Sequence, residues 1–250
     1  ENMNNWICPK EYVNLKPVDN YSRQLEAKNK NNPEIRNLHT LYRKTFEIKK
    51  IRNTCLHITA DDYYILYVNG SFVTQGPANA YHFIYNRNHI DITPFLRTGK
   101  NVVAVDTLYN GYINRAYNSG DNRLGMYAEV VEEGQVVLRS DETWKYAFDR
   151  SYIDTDITFG YDTQTAEYRD MNLYPHGWNM ADYDDSEWSF AVIKEDDDHQ
   201  CVEQITPNVS SEMITAKQIT KLAHNRYVLD FGKEVVGQLV MDVQGPKGSK

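Results

Sequence analysis

Several features that would point to other protein classes are absent from this sequence. The chain of 250 residues has only three cysteines, Cys8, Cys55 and Cys201, and their spacing matches neither a zinc motif nor a disulfide framework. No apolar run is long enough for a membrane-spanning helix. No basic run is present either, and the net charge of -8 would repel phosphate backbones. We therefore expect three free thiols, with one long-range disulfide left open, no membrane span and no nucleic-acid partner.

Aromatic residues, by contrast, are abundant. The chain contains 19 tyrosines and four tryptophans, and 41% of its residues are hydrophobic. Aromatic side chains favour β-strands. A ring with a polar edge also suits surfaces that stack on sugars, because it offers an apolar face beside a hydrogen-bonding group. The composition therefore predicts a globular, β-rich chain and is compatible with a carbohydrate ligand.

Alternating polar and apolar residues predict a series of short strands. The dipeptide Asn69-Gly70 between two such runs is the strongest short signal for a hairpin, because both positions of that turn need positive φ. A second hairpin is predicted around Glu133-Gly134 and one short helical turn within 91–101. The remaining predicted strands are 39–50, 101–108, which is apolar enough to be central and covered on both faces, and 143–148.

These elements predict an all-β chain built around a β-sandwich. Residues 1–36 are polar and weakly periodic, and we interpret them as an irregular arm. Residues 37–192 form the predicted sandwich, interrupted by a long irregular excursion at 151–190. Residues 193–225 are predicted to be a linker, and 226–250 the beginning of a second β-sandwich.

Five stretches of the sequence together resemble one enzyme family. The first two are similar to the galactose-binding-like jelly roll of many glycoside hydrolases. The other three narrow the resemblance to the N-terminal region of bacterial α-L-rhamnosidases. The stretches are LYVNGSFVTQGP (66–77), DITPFLRTGKNVVAV (91–105), YNGYINRAYNSGDNRLGMYAEV (109–130), YDTQTAEYRDMN with GWNMADYDDSEW (161–188) and YVLDFGKEVVGQLVMDVQGPKG (227–248).

The resemblance implies a non-catalytic role for these residues. Members of that family are similar to a string of β-sandwiches followed by a helical barrel, which carries the carboxylates that hydrolyse terminal rhamnose with inversion. No stretch here resembles the barrel. The chain would then be a scaffold and carbohydrate-binding portion, partnered by C-terminal domains of the same polypeptide, in a periplasmic, cell-surface or secreted enzyme. The alternative is a free-standing carbohydrate-binding or structural β-sandwich module.

Loop carboxylates are the only candidates for catalysis within the chain. Inverting glycosidases need two carboxylates on opposite sides of the scissile bond, and Asp121, Asp162, Glu167 and Asp170 lie in predicted loops. Spacing alone does not identify such a pair. We interpret these side chains as solvated or turn-forming and assign no catalytic residue. The seven histidines are scattered, and none pairs at the spacing of a metal site.

The loop at 109–123 is the predicted carbohydrate site. It follows a buried strand and combines rings, amides and charges, which sugar sites use for the apolar face and the hydroxyls. An equally weighted alternative is that the loop docks onto the barrel of the parent enzyme. The candidate residues are Tyr109, Asn110, Tyr112, Asn114, Arg115, Asp121 and Arg123.

Two acidic segments have a structural and a ligand-binding interpretation. Asp61 and Asp62 could accept hydrogen bonds from sugar hydroxyls, but we favour a role in shaping the entry to the first hairpin through backbone amides. The segment 182–188 alternates acidic residues but lacks the glycine and glutamate of a calcium-binding EF-hand loop. We predict a turn that docks Trp188, with calcium left open because related rhamnose-binding modules use it. No other cofactor is expected.

Overall fold

The computed structural model describes residues 5–19, 35–81, 84–112, 119–160, 164–196, 198, 200–224, 226–241, 244 and 246. It comprises two compact units, Glu1–Val209 and Ser210–Lys250. The strands of the first unit are β1 (Ile7–Cys8), β2 (Leu38–Ile48), β3 (Thr54–Asp61), β4 (Tyr63–Val68), β5 (Ser71–Gly76), β6 (Ile84–Asp91), β7 (Gly99–Tyr109), β8 (Gly125–Glu132), β9 (Gln135–Arg139), β10 (Lys145–Phe148), β11 (Thr158–Phe159), β12 (Gln164–Thr165), β13 (Ser189–Phe190), β14 (Val192–Ile193) and β15 (Gln200–Glu203). Two short 3-10 helices, Lys10–Tyr12 and Thr93–Phe95, accompany them, and the second unit contains the strands β16 (Gln218–Ala223) and β17 (Arg226–Asp230).

Two sheets form the sandwich of the first unit. One has the order β14-β1-β8-β3-β6-β15, with β9 paired to β8, and the other has the order β13-β10-β2-β7-β4-β5. The strands pair antiparallel except β15, which runs parallel to β6. The β-sandwich expected from the spacing of the strands is confirmed.

The core lies between the two sheets. Leu56 and Ile58 of β3 face it from the first sheet, and Leu66, Val103 and Val105 face it from the second. All five side chains are fully buried. They recur at every second position along their strands because successive side chains of a strand point to opposite faces. The alternation visible in the sequence therefore predicted which residues form the core.

The predicted hairpin turns are present. Asn69 and Gly70 have φ of 51° and 85°, and Glu133 and Gly134 have φ of 47° and 82°, the left-handed values that such turns need. The side-chain amide of Asn69 also donates to the Phe95 carbonyl over 2.9 Å. This bond links the first hairpin to the short 3-10 helix that the sequence predicted as a helical turn.

Strand β7 is covered on both faces, as its apolar sequence predicted. Its outer face presents Val102 and Ala104, which pack with Leu41 of β2 against Trp178 and Ala181. The last two belong to the excursion after residue 150, which therefore lies against the outer face of the second sheet. Burial of an apolar face explains why a segment with little periodicity is ordered.

The predicted boundaries of the arm and the linker differ from the structure. Residues 6–8, expected in an irregular arm, are fully buried, and β1 pairs with β14 and β8. Residues 200–203, expected in a linker, form the edge strand β15. Both strands are too short to show a periodic pattern, and their pairing partners lie far away in the sequence. In the second unit the hairpin already begins at Gln218, and its membership of a second sandwich stays a prediction.

The cysteines and helices agree with the sequence-based expectations. Cys8, Cys55 and Cys201 are free thiols. Within the described ranges, no helix is both long and apolar enough to span a membrane.

Candidate functional site

The described residues of the loop predicted to bind carbohydrate are largely interior. It connects the end of β7 to the start of β8, and Tyr109, Asn110 and Tyr112 are all at most 5% exposed. Asp121 is fully buried and Arg123 nearly so. Asn114 and Arg115 lie outside the described residues. The described candidates therefore form a buried polar cluster, and carbohydrate binding by this loop stays a prediction.

The acidic pair before the first hairpin anchors the start of this loop. Asp62 accepts a hydrogen bond from the Asn110 amide over 2.7 Å through its carboxylate, and its own amide donates to the Leu108 carbonyl over 2.8 Å. The hydroxyl oxygen of Ser119 accepts from the Gly111 amide over 2.8 Å. The interpretation that the pair binds backbone amides is confirmed for Asp62. Its partners are distant in sequence rather than local, so the pair closes the end of the sheet around the loop.

An ion-pair network fixes the far end of the loop. Asp121 accepts a hydrogen bond from the Arg123 guanidinium over 3.1 Å. The same guanidinium donates to both carboxylate oxygens of Asp198, over 2.7 and 3.2 Å, and to the Val18 carbonyl over 2.9 Å. Arg123 therefore ties the loop to segments before β2 and after β14. A planar guanidinium suits this role because its donors point in several fixed directions.

Three carboxyl groups, those of Asp61, Asp62 and Asp121, share this buried region. Burial raises the pKa of Asp62 to about 7 and the charge of Asp121 adds to the rise, while hydrogen bonds from Asp61, Ser119 and the Asn110 amide oppose it. Burial likewise raises the pKa of Asp121, and Arg123 opposes this. The physical cause is the cost of placing several negative charges where water does not solvate them. A proton is therefore retained on Asp62 in mildly acidic solution.

The pKa of Asp62 predicts a dependence of stability on pH. Its folded-state pKa of about 7 lies above the reference value of 3.8, so the folded state binds the extra proton. That stabilising contribution is complete below pH 3.8 and is lost as the pH rises through 7. We expect the free energy of unfolding to fall by about 2 kcal/mol from this group between about pH 5 and 7, measured by urea denaturation.

Two variants separate Asp62 from the other acids. Asp62→Asn is expected to remove this slope, because an amide can still accept from the Asn110 backbone but carries no titrating proton. The exposed Asp184, whose pKa is lowered by hydrogen bonds from Ser186, provides the matched control Asp184→Asn, which should leave the slope intact. An unchanged slope in Asp62→Asn would contradict the assignment.

Asp61 and Asp62 also line a small cleft. The other lining residues are Ala60, 77–81 and 84–86. The cavity at its base measures about 20 Å³, room for roughly one water molecule, so a larger ligand would lie across the mouth. Tyr81 is 66% exposed there, beside Asn79 and Asn86, whose side-chain amide donates to the Ala78 carbonyl over 2.9 Å. The segment ANAYHFIYN (78–86) supplies most of this lining. Its sequence has no periodicity, so the sequence analysis did not identify it as a candidate site.

Comparison with known proteins identifies the family. Residues 49–212 match the family described as the α-L-rhamnosidase N-terminal domain. The chain belongs to this family. A search of curated proteins found no significant match to the sequence.

Solved α-L-rhamnosidases contain the same fold. A rhamnosidase of Bacillus sp. GL1 aligns with a TM-score of 0.61 and 23% identity over 76% of this chain and 20% of that enzyme. The enzyme of Streptomyces avermitilis, solved with L-rhamnose, gives 0.57 and 22% over 79% and 20%. The enzyme of Aspergillus terreus gives 0.57 and 22% over 82% and 25%. The chain thus spans a quarter or less of the length of those three enzymes.

Three of the four loop carboxylates considered for catalysis lie within the described residues, and each has an identifiable environment. Asp170 accepts from the Asn172 amide over 3.0 Å, and hydrogen bonds from Asn172 lower its pKa. Asp121 is held by Arg123, and Glu167 is exposed to solvent. Asp162 lies outside the described residues. Asp170 and Glu167 match the interpretation of turn-forming and solvated acids, whereas Asp121 is buried in an ion pair with Arg123.

The acidic segment 182–188 of the rhamnosidase N-terminal domain forms the predicted turn. Asp184 accepts from the Ser186 amide over 3.0 Å, and Trp188 stacks against Trp178 at 6.3 Å between ring centroids. The Asp185 carboxylate accepts a hydrogen bond from the Lys145 ammonium over 2.9 Å and also forms an ion pair with Arg43. The turn therefore fixes the excursion to the sheet, as the sequence predicted, and calcium at these aspartates stays the untested alternative.

Proposed function

We propose that this chain is the non-catalytic N-terminal portion of an α-L-rhamnosidase and that it serves as a scaffold for the catalytic domain of the parent enzyme. The match over 49–212 supports this assignment. The engagement of Asp121 and Asp170 in structural hydrogen bonds also favours a chain without its own acid–base pair. The same proposal places the enzyme in the periplasm, at the cell surface or outside the cell.

We further propose that the scaffold carries a carbohydrate contact at the cleft beside Asp61 and Asp62. The exposure of Tyr81 is the observation that carries this proposal, because an aromatic ring open to solvent can stack on the apolar face of a sugar. Asn79 and Asn86 line the cleft beside it, and amides of this kind bind hydroxyl groups. Rhamnose-containing glycans are the class of ligand that the family suggests.

Titration calorimetry with L-rhamnose, and with D-galactose for comparison, tests this site. Tyr81→Ala is expected to weaken rhamnose binding by about 1 to 3 kcal/mol, because the stacking surface is removed. The melting temperature should stay unchanged, since most of this ring lies outside the core. Tyr168, which is 58% exposed in the excursion, provides the matched control Tyr168→Ala, with unchanged affinity expected.

Two results would contradict these proposals separately. Absence of rhamnose binding, or equal binding by Tyr81→Ala, would remove the carbohydrate contact and leave a structural module. Turnover of an aryl-rhamnoside by the purified chain, abolished by changing one carboxylate, would instead contradict the non-catalytic assignment. Binding with no turnover is the expected combination.

A further inference from the structure

The outer face of the first sheet brings together a thiol and two imidazoles. Strands β3 and β6 run antiparallel, and His57 lies directly opposite His89. Cys55 precedes His57 by two positions on the same strand and therefore points to the same face. The intervening Leu56 and the following Ile58 point into the core. The register of the two strands thus places Cys55, His57 and His89 side by side.

These three side chains have the spacing of a metal site. One ligand atom from each lies within 4.8 Å of the others, and the two imidazole rings are 4.4 Å apart between centroids. A tetrahedral zinc ion needs ligand atoms about 3.3 to 3.7 Å apart, so modest side-chain rotations would complete the geometry. The side chain of His89 is 55% exposed and has room to rotate. No sequence interval indicated this group, because the register of the two strands, rather than the spacing along the chain, brings the three side chains together.

Carboxylates accompany both imidazoles. Nδ1 of His57 lies 3.8 Å from Oε1 of Glu129, and Nδ1 of His89 lies 3.7 Å from Oε1 of Glu203. A carboxylate beside a ligating imidazole orients the ring and strengthens it as a ligand. Glu129 also pairs with Arg139 over 2.7 Å, and the thiolate formed on binding adds a negative charge next to the metal.

We propose that Cys55, His57 and His89 bind a divalent transition metal of the zinc class. Sulfur and imidazole nitrogen are ligands that zinc prefers, whereas calcium and magnesium prefer oxygen. Binding converts the Cys55 thiol to a thiolate and releases its proton to solvent. The fourth position is open to water, because the site lies on a solvent-facing sheet surface. The metal would link β3 to β6. This role is separate from the scaffold role and the carbohydrate contact proposed above.

Metal titration of the chelator-treated chain tests this site. Zinc, titrated against a chromophoric chelator, should bind once per chain, and cobalt should give a thiolate-to-metal charge-transfer band. Cys55→Ser and His89→Ala should each weaken zinc binding by more than about 100-fold, and Glu129→Gln by about 10-fold. Cys201 is a second half-buried cysteine outside this group, so Cys201→Ser is the matched control and should bind zinc normally.

A second measurement does not depend on the folding of any variant. In the unaltered chain, zinc should slow the alkylation of Cys55 by iodoacetamide and leave the rate at Cys201 unchanged, as followed by mass spectrometry of peptides. Equal zinc affinity in Cys55→Ser would overturn the proposal. A cobalt complex without a thiolate band, or alkylation of Cys55 that zinc does not slow, would overturn it as well.

Discussion

Replacing Arg43 by leucine is expected to lower the free energy of unfolding by about 3 to 5 kcal/mol, because this change leaves buried polar partners without their donor. Arg43 is 2% exposed on the outer face of β2. It donates to the Trp178 carbonyl over 3.0 Å and to the Met180 carbonyl over 2.8 Å, and it contacts the Asp185 carboxylate. The substitution should therefore release the excursion from the second sheet. Urea denaturation followed by tryptophan fluorescence measures both effects.

Two further variants define the cause of this loss. Arg43→Lys should also destabilise the chain, because one ammonium group cannot reproduce the fork of donors that meets three acceptors. Arg150 is exposed, so Arg150→Leu should change stability by no more than about 0.5 kcal/mol. Full stability in Arg43→Leu would show that the packing of Trp178 alone holds the excursion.

Trp6→Ala is expected to cost about 3 to 5 kcal/mol of unfolding free energy, the usual loss for a fully buried tryptophan. The Trp6 ring stacks on Tyr85 with centroids 4.5 Å apart. Its indole nitrogen donates to the carbonyls of Arg123 and Leu124 over 3.2 and 3.3 Å. The segment before β2 thereby holds the end of the 109–123 loop. Differential scanning calorimetry measures the loss.

A conservative change separates packing from hydrogen bonding. Trp6→Phe keeps most of the aromatic surface and loses the indole donor, so a smaller loss is expected than for alanine. A stability of Trp6→Ala equal to that of the unaltered chain would contradict the inclusion of residues 6–8 in the sandwich. Gly125 shows how tightly this region packs: with a φ of 138°, a Cβ placed there would lie 2.4 Å from the Ile7 carbonyl oxygen.

Asp61 and Asp62 contact both the buried loop and the cleft beside Tyr81. The carboxylate of Asp62 binds the Asn110 amide, while Asp61 and Asp62 together line the cleft beside Tyr81. A sugar that contacts the cleft would therefore sense the protonation state of these acids.

Local sequence patterns determined the architecture of the sandwich. Alternation placed Leu56, Leu66 and Val103 in the core because a strand has a period of two. The dipeptide Asn69-Gly70 fixed the first hairpin because few other residues tolerate its backbone angles. The motifs between 66 and 248 also indicated the rhamnosidase family. Each of these signals is contained within one short segment, so no tertiary contact was needed to recognise it.

The tertiary structure alone decided how distant segments meet. Nothing in the sequence indicates that Trp6 stacks on Tyr85 or that Arg43 holds the turn before Trp188, since these partners are far apart in the chain. The described candidates of the predicted sugar-binding loop are buried, because Asp62 binds the backbone at its start and Arg123 forms ion pairs at its end. Cys55, His57 and His89 converge only through the register of β3 and β6. Strand pairing is a long-range choice made by the packing of the whole core, and no sequence interval encodes it.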